Sequence, residues 1–173
     1  DIHTVNQEAA GLDTRDTAKT FIYAKIYGSG IKGLAETCDM SVKEMKKVVD
    51  SFDRNLPALV KLTEAVKHTI RVKGYVKALD GRKIYCTSEH AALNYLLQSA
   101  GAIVCKNWMN EIHSLLSTRG DYTLFVKQLA FVHDELQLGY NPEFITHEEL
   151  DTISRQAMTN TEKKLGIKLK LDS

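Results

Sequence analysis

Apolar residues recur at helical spacing through the first seventy residues of the chain. The pattern predicts five helices, each bounded by a capping residue, a glycine or a proline. Asp13 or Thr14 is the predicted cap of the second helix, and Asp39 or Ser41 that of the fourth. The predicted ranges are 1–11, 15–27, 31–36, from the fourth cap to about 54, and 58–70.

The pattern changes at residue 70, where apolar and polar residues begin to alternate. Alternating stretches at 70–76 and 83–86 flank a turn at 79–82 and predict a β-hairpin. The remaining predicted elements are a long helix at about 89–116, strands at 124–132 and 136–140, a helix from the cap at Thr146 to about 165, and a strand at 167–171. The sequence therefore predicts an α+β fold.

The composition is that of a globular domain. Of the 173 residues 43% are hydrophobic and 26% are charged, which excludes a disordered tail, a collagen-like repeat and a disulfide-stapled miniprotein. No apolar run is long enough to predict a transmembrane span. Three widely spaced cysteines predict reduced thiols in the cytoplasm. The chain begins at Asp1 without a signal pattern, and we expect it to be an excised or processed piece of a longer protein.

The charges balance to +1 but are unevenly distributed. Residues 32–84 carry twelve Lys and Arg against seven Asp and Glu, whereas residues 119–173 carry seven against nine. This distribution favours a polyanion-binding surface in the middle of the chain and a cation-binding one near its end. Ordinary scatter of surface charge explains the same numbers equally well.

The second predicted helix carries a stripe of candidate ligand-binding residues. Arg15, Lys19 and Tyr23 follow at intervals of four and so share one face. The two cations suit a triphosphate, and the ring can stack on a base or sugar. Phe21 and Ile22 fall on other faces and are candidates for the core. A solvated helix face with a snorkelling lysine is the alternative.

Two acidic residues, Asp134 and Glu135, follow His133 at the tip of an apolar hairpin, where Asn-Gly or Asp-Gly is usual. Carboxylates at a strand end suit Mg²⁺, which takes a few carboxylates together with substrate phosphates. Successive side chains on extended backbone point to opposite sides. We therefore expect Asp134 to be the metal ligand and Glu135 to be secondary; an exposed polar turn is the alternative.

A basic run between residues 67 and 83 contains Asp80 as its only acid and has Tyr75 and Tyr85 interleaved or adjacent. It fits contact with a phosphate backbone, although a solvated hairpin has the same composition. Its basic residues are Lys67, His68, Arg71, Lys73, Lys77, Arg82 and Lys83.

Two amides, Asn94 and Gln98, lie one turn apart on the long, otherwise apolar helix. Buried amides need partners, which the base edges of a minor groove could supply. A capping or network role within the protein is the alternative.

These motifs, in this order, resemble the C-terminal part of family A DNA polymerases, most closely the replicative enzymes of short-tailed bacteriophages. The Arg-x-x-x-Lys-x-x-x-Tyr helix and the His-Asp-Glu turn match the family's second and third signature motifs. The matching segments are Asp1-Ile2-His3-Thr4, the stretch from Thr14 to Gly30, Leu79-Asp80-Gly81-Arg82-Lys83, the stretch from His90 to Ala102, and Val132-His133-Asp134-Glu135.

The resemblance implies a mostly helical fingers subdomain at 1–93 and, at 94–173, part of an antiparallel palm sheet with a long helix. In the fingers, the resemblance places five residues around the incoming nucleotide. The phosphate-gripping positions are His3, Arg15 and Lys19, with Lys19 also protonating the leaving pyrophosphate; Tyr23 faces the sugar, and Tyr27 lies by the templating base.

The resemblance also implies contacts with DNA and metal. Asn94 and Gln98 match residues near the primer–template minor groove, His133 matches one against the primer end, and Asp134 matches one of two metal-binding aspartates. The candidate DNA-binding residues are Lys73, Arg82, Lys83, Asn94, Gln98 and His133. The candidate catalytic residues are Lys19, His133, Asp134 and Glu135.

The family's first signature motif, a strand aspartate followed by a glutamate, is absent from the chain, as are the thumb and any exonuclease. The segment from Asp39 to Glu44 mimics that motif loosely but is predicted to be a helix cap. Two-metal phosphoryl transfer needs carboxylates that bridge both ions, and Asp134 with Glu135 cannot supply that geometry alone. We therefore expect template-directed DNA synthesis with Mg²⁺ only once a second polypeptide, or another stretch of the same protein, supplies the other aspartate.

The expected partners are DNA primer–template, dNTP, the polypeptide that carries the thumb, the remaining palm and any exonuclease, and any processivity factor. No membrane is expected, and the expected location is the cytoplasm of a phage-infected or prophage-bearing bacterium. The alternatives are a non-catalytic nucleotide- or DNA-binding module, and a degenerate remnant that folds poorly because a palm sheet without its other strands leaves edges open.

Overall fold

The computed structural model describes residues 2–120, 122–133 and 135–167. Its contacts divide the chain into two compact units, the first formed by Asp1–Ala78 with Arg82–Leu97 and the second by Leu79–Gly81 with Gln98–Ser173. The described residues form helices and two separate two-stranded antiparallel sheets, so the predicted α+β class is confirmed. The division into fingers and palm at 93/94 stays a prediction, because the units are defined by contacts and not by function.

The first unit is built mainly from helices around an aromatic centre. Phe21, Met45 and Phe52 have no exposed surface, and the two phenylalanine rings meet edge to face with centroids 5.2 Å apart. Burying each ring stabilises the fold by about 2–3 kcal/mol. The elements of this unit are α1 (Ile2–Ala10), α2 (Arg15–Ile26), α3 (Ile31–Thr37), α4 (Val42–Asn55), α5 (Pro57–Lys73), β1 (Tyr75–Lys77), β2 (Lys83–Tyr85) and the start of α6 (Ala92–Ser117).

Local capping explains where these helices begin. The Thr14 hydroxyl accepts a hydrogen bond from the Thr17 N–H at 3.1 Å and caps α2. Ser41 and Glu44 form a reciprocal capping box at the start of α4. The segment that loosely mimics the missing polymerase motif is therefore a helix cap, as predicted.

The predicted strand at 70–76 is wrong over most of its length, because α5 continues to Lys73. Val66 and Ile70 are buried one helical turn apart, against Val76 and Ala92. This burial favours helix over the alternating pattern, until Gly74 ends the helix with φ +74°. The hairpin itself is confirmed, with Val76 opposite Ile84, but each strand has only three residues.

The second unit packs a helix and a hairpin onto the later turns of α6. Ile112, Ile145 and Ala157 are almost fully buried, and the Trp108 indole N–H donates to the carbonyl of Ser154 at 3.1 Å. Its other elements are α7 (Tyr122–Phe125), β3 (Val126–Val132), β4 (Glu135–Tyr140) and α8 (His147–Leu165).

Two strand predictions in this unit need correction. The first strand begins at Val126 and not at 124, because Tyr122–Phe125 form a helical turn, and the Phe125 ring stacks on Phe144 with centroids 3.8 Å apart. Of the predicted last strand, Ile167 is not extended in a sheet, and residues 168–171 lie outside the described residues.

Two features concern the predicted cytoplasmic location, namely the state of the cysteines and the apolarity of the helices. Cys38, Cys86 and Cys105 are partly buried and form no disulfide within the described residues, and burial raises the pKa of Cys38 and Cys86. Within the described ranges, no helix combines the length and apolarity needed to cross a membrane.

The capping box of α8 makes stability depend on acidic pH. Hydrogen bonds from the backbone N–H and then the hydroxyl of Thr146 lower the pKa of Glu149 below its usual 4.5. The stabilisation is therefore present above pH 4.5 and lost as the pH falls through the lowered folded-state pKa. We expect Glu149→Gln to reduce the urea midpoint at pH 6 and to flatten its decline toward pH 3.

The control for this change is Glu148→Gln, which removes a charge from the same helical turn without touching the capping box. Equal pH profiles for the two variants, measured by urea unfolding, would contradict a role for the cap.

Candidate nucleotide and DNA interface

Helix α2 presents one buried and one exposed face. Phe21 and Ile22 are buried, as predicted, whereas Arg15, Lys19 and Tyr23 are all exposed. Within the described part of the chain Lys19 forms no ion pair, so its ammonium is available to an anion. The helix thus displays two cations and a phenol on one solvent-facing stripe.

The buried side of α2 is held by a lysine as well as by the core. Lys25 forms an ion pair with Asp53 at 2.8 Å and lies 5.5 Å from the centroid of the Phe52 ring. This contact joins α2 to α4. Because the reverse face is fixed in this way, the stripe cannot rotate inward without exposing apolar surface.

Helix α1 brings His3 to the stripe. The His3 and Tyr23 rings lie 6.1 Å apart between centroids and are inclined at 53°. Tyr27, half exposed at the end of α2, donates its N–H to the Tyr23 carbonyl at 2.9 Å. The five residues assigned to the nucleotide by resemblance therefore lie on α1, on α2 and at the C-cap of α2 in the first unit, with His3 beside Tyr23.

A close backbone approach fixes the end of α2. Gly28 has φ +89°, and a Cβ placed on it would lie 2.3 Å from the backbone oxygen of His90. Only glycine fits this conformation and this contact. The end of α2 therefore rests on the segment that precedes α6.

A cavity of about 260 Å³ adjoins this contact within the first unit. Sequence reasoning assigned only Lys67 of its polar lining to a candidate site, the basic run, because the lining comes from segments far apart in the chain. The glycines on either side of Ser29 were predicted only to end the second helix. The polar lining includes Lys25, Ser29, Asp53, Glu64, Lys67 and His90.

The basic run between residues 67 and 83 has less available charge than the sequence suggests. Lys67 pairs with Glu64 at 3.0 Å, and Arg71 with Glu89 at 2.8 Å. The hydrogen bonds from Arg71 lower the pKa of the Glu89 carboxyl and keep it ionised. Asp80 is therefore not the only acid near this run, because Glu64 pairs with Lys67 within α5 and Glu89 reaches Arg71 from the segment before α6.

Exposed cations remain at the C-terminal end of α5 and on the hairpin. Lys73, Lys77, Arg82 and Lys83 are all exposed, and the Lys83 ammonium lies 4.7 Å from the centroid of the Tyr75 ring. The arrangement suits contacts with a phosphate backbone.

The two amides of α6 are not both buried. Asn94 is partly buried and Gln98 is exposed, one turn apart on the helix. Gln98 therefore does not need a partner on the ground of burial, because water can reach its amide. Its exposure leaves it accessible to a ligand.

In the second unit the His-Asp-Glu motif joins β3 to β4. His133 is exposed in the left-handed conformation with φ +56°, and Asp134 lies outside the described residues. Glu135 is the first residue of β4, opposite Val132, and its carboxylate accepts from the Gln137 amide at 2.9 Å. Glu135 was predicted at the hairpin tip, but it is a strand residue because it pairs with β3.

A metal site is not assembled by the described residues. No group of three or more His, Cys, Asp or Glu side chains able to hold a metal occurs among them. The assignment of Asp134 as a metal ligand therefore stays a prediction.

Comparison with known proteins identifies the family. The model of DNA polymerase family A matches residues 1–173, so the chain belongs to that family, as the sequence motifs predicted. The chain is 38% identical over 175 residues to the DNA-directed DNA polymerase of Escherichia phage T7, with 91% of this chain and 25% of the phage protein covered. It is 37% identical to the enzyme of Enterobacteria phage T3, with the same coverage.

The fold is also found in a solved structure. The polymerase domain of Pol1 from M. smegmatis, in complex with DNA primer-template and dNTP, matches with a TM-score of 0.81 and 24% identity. The match covers 93% of this chain and 31% of that one. The chain thus spans about a quarter of the length of the curated relatives.

The contact between Gly28 and His90 can be tested by substitution. Gly28→Ala combines a positive φ with a clash against a backbone oxygen, so we expect it to reduce the free energy of unfolding by about 2 kcal/mol. Gly101→Ala is the control. It adds a Cβ within α6 where no atom lies within 4 Å, and we expect it to be neutral or to stabilise by up to about 1 kcal/mol.

Urea unfolding of both variants provides the measurement. Equal stability of the Gly28→Ala variant and the unsubstituted chain would contradict this prediction, because it would show that the segment at His90 moves aside without loss of stability.

Proposed function

We propose that this chain supplies the nucleotide-binding face and part of the DNA-binding surface of a DNA-directed DNA polymerase. The observation that carries the proposal is the exposed stripe of α2, with His3 beside Tyr23, on a helix whose reverse face is locked in the core. Membership of the polymerase family supports the proposal, as does the 38% identity to a phage DNA polymerase over 91% of this chain.

The stripe provides positions for each part of a dNTP. Arg15 and Lys19 would neutralise the phosphates, where charge develops on the departing pyrophosphate during transfer. Lys19 would donate a proton to that leaving group, and the Tyr23 ring would lie against the sugar. Movement of α2 over the bound nucleotide would align these groups before the primer 3′-hydroxyl attacks the α-phosphate.

Magnesium chemistry would require residues from outside the described part of the chain. We propose Asp134 as one ligand, next to His133 at the primer end, with Glu135 in a secondary role. The ion would supply charge stabilisation for the transferring phosphoryl group. The second aspartate would come from a second polypeptide or from another stretch of the same protein.

The hairpin of the second unit supports the need for that complement. β3 and β4 pair only with each other in the described ranges, and Leu129 and Val132 are at least half exposed. Open strand edges and exposed apolar residues are what further palm strands would cover. We propose that thumb, remaining palm, any exonuclease and any processivity factor come from other sequence, and that the complex works in the cytoplasm of a phage-infected or prophage-bearing bacterium.

Nucleotide binding tests the role of the stripe. We expect Lys19→Ala to weaken binding of a fluorescent dATP to this chain by about tenfold, because one charge-assisted contact to phosphate is lost. Lys46→Ala is the matched control, since Lys46 is an exposed lysine on α4. Equal affinities of the two variants, measured by fluorescence anisotropy, would rule out the role given to Lys19.

Salt dependence tests the DNA contacts proposed for Lys73, Arg82 and Lys83, whereas Asn94 and Gln98 are each proposed as contacts with the minor groove. We expect Lys73→Ala to weaken duplex binding uniformly across sequences and to reduce the slope of log affinity against log salt by about 0.9, the value of one lost phosphate contact. An unchanged slope by filter binding would place the phosphate contacts elsewhere.

Asp134→Ala separates the polymerase proposal from a binding module that is not catalytic. In a polymerase, primer extension by the chain mixed with its complement is lost while binding of duplex is retained. A chain that binds duplex but gives no extension with any complement, before or after substitution, would favour the binding module.

A further inference from the structure

The ion pair between Arg71 and Glu89 connects two segments that the sequence separates by 18 positions. The guanidinium donates through Nε to one carboxylate oxygen at 3.2 Å and through Nη2 to the other at 2.8 Å. A forked contact of this kind fixes orientation as well as distance. It holds the segment before α6 to the last turn of α5.

The held segment is the one on which α2 ends. Glu89 directly precedes His90, whose backbone oxygen is the atom nearest to the position that a Cβ of residue 28 would take. Gly28 and Ser29 complete the end of α2 through hydrogen bonds to the carbonyls of Lys25 and Ala24, both at 3.0 Å. The His90 peptide therefore cannot move toward α2 without meeting the backbone at Gly28.

We infer that Arg71 and Glu89 are positioning residues that set the resting place of the C-terminal end of α2 through the contact of His90 with Gly28. The consequence for nucleotide binding rests on the proposed function, because Tyr27 and Tyr23 lie on the same last turns. Both charged side chains remain partly exposed. The ion pair of Arg71 with Glu89 acts as a latch on the segment before α6. Salt weakens this latch, because salt screens exposed charges.

Hydrogen exchange of the amides of Gly28 and Ser29 measures this latch directly. We expect Arg71→Glu and Glu89→Arg each to accelerate their exchange about threefold, and the charge-swapped double variant to return it to the original rate. In the unsubstituted chain, raising the salt concentration should accelerate the same two amides. The amide of Met45, bonded to the Ser41 carbonyl in α4, is the internal reference.

Arg155→Glu is the matched control, because it breaks an ion pair that lies within a single turn of α8. The inference is overturned if the exchange of Gly28 and Ser29 does not change, if it rises no more than that of Met45, or if the double variant fails to restore it.

The effect of the ion pair on nucleotide binding is measured separately. We expect each single variant to weaken binding of the fluorescent dATP about threefold and the double variant to restore it. Altered exchange with unaltered affinity would refute the link to nucleotide binding. If the unsubstituted chain binds no nucleotide, the proposed function fails, whereas the exchange result still decides the latch.

Discussion

The structure of the candidate site depends on the burial of one face of α2. Phe21 meets Phe52 at the centre of the first unit, and Ala18 and Ile22 are buried beside it. Since 3.6 residues make a turn, burying these positions turns Lys19 and Tyr23 away from the core, and both are exposed. The apolar contact that stabilises the unit is therefore also the one that displays the cationic stripe.

Local signals predicted much of this arrangement. The predicted cap Thr146 is confirmed, and of the predicted pairs Asp13 or Thr14 and Asp39 or Ser41 the second member caps the helix. Such caps are predictable because a side-chain oxygen bonds to an N–H three residues away, a relation contained in the sequence. The exposed side of α2 followed from helical period alone. The family motifs then assigned chemistry to residues whose spacing by itself also fits a solvated face.

Contacts between distant segments could not be predicted from the sequence. The stretch from Ile70 to Lys73 alternates like a strand, but burial of Ile70 beside Val66 keeps it helical. Neither the pairing of Arg71 with Glu89 nor the approach of His90 to Gly28 has a sequence pattern. For the same reason, the sequence did not show that Glu89 lies beside the basic run at 67–83.

A nucleotide titration followed by NMR tests the central claim, that the face of α2 opposite the core binds the triphosphate. With dATP added to the isotope-labelled chain, the account predicts the largest amide shift changes at Arg15, Lys19 and Tyr23, together with the ring signals of His3. Changes confined to the hairpin of β1 and β2, or to the second unit, would contradict it.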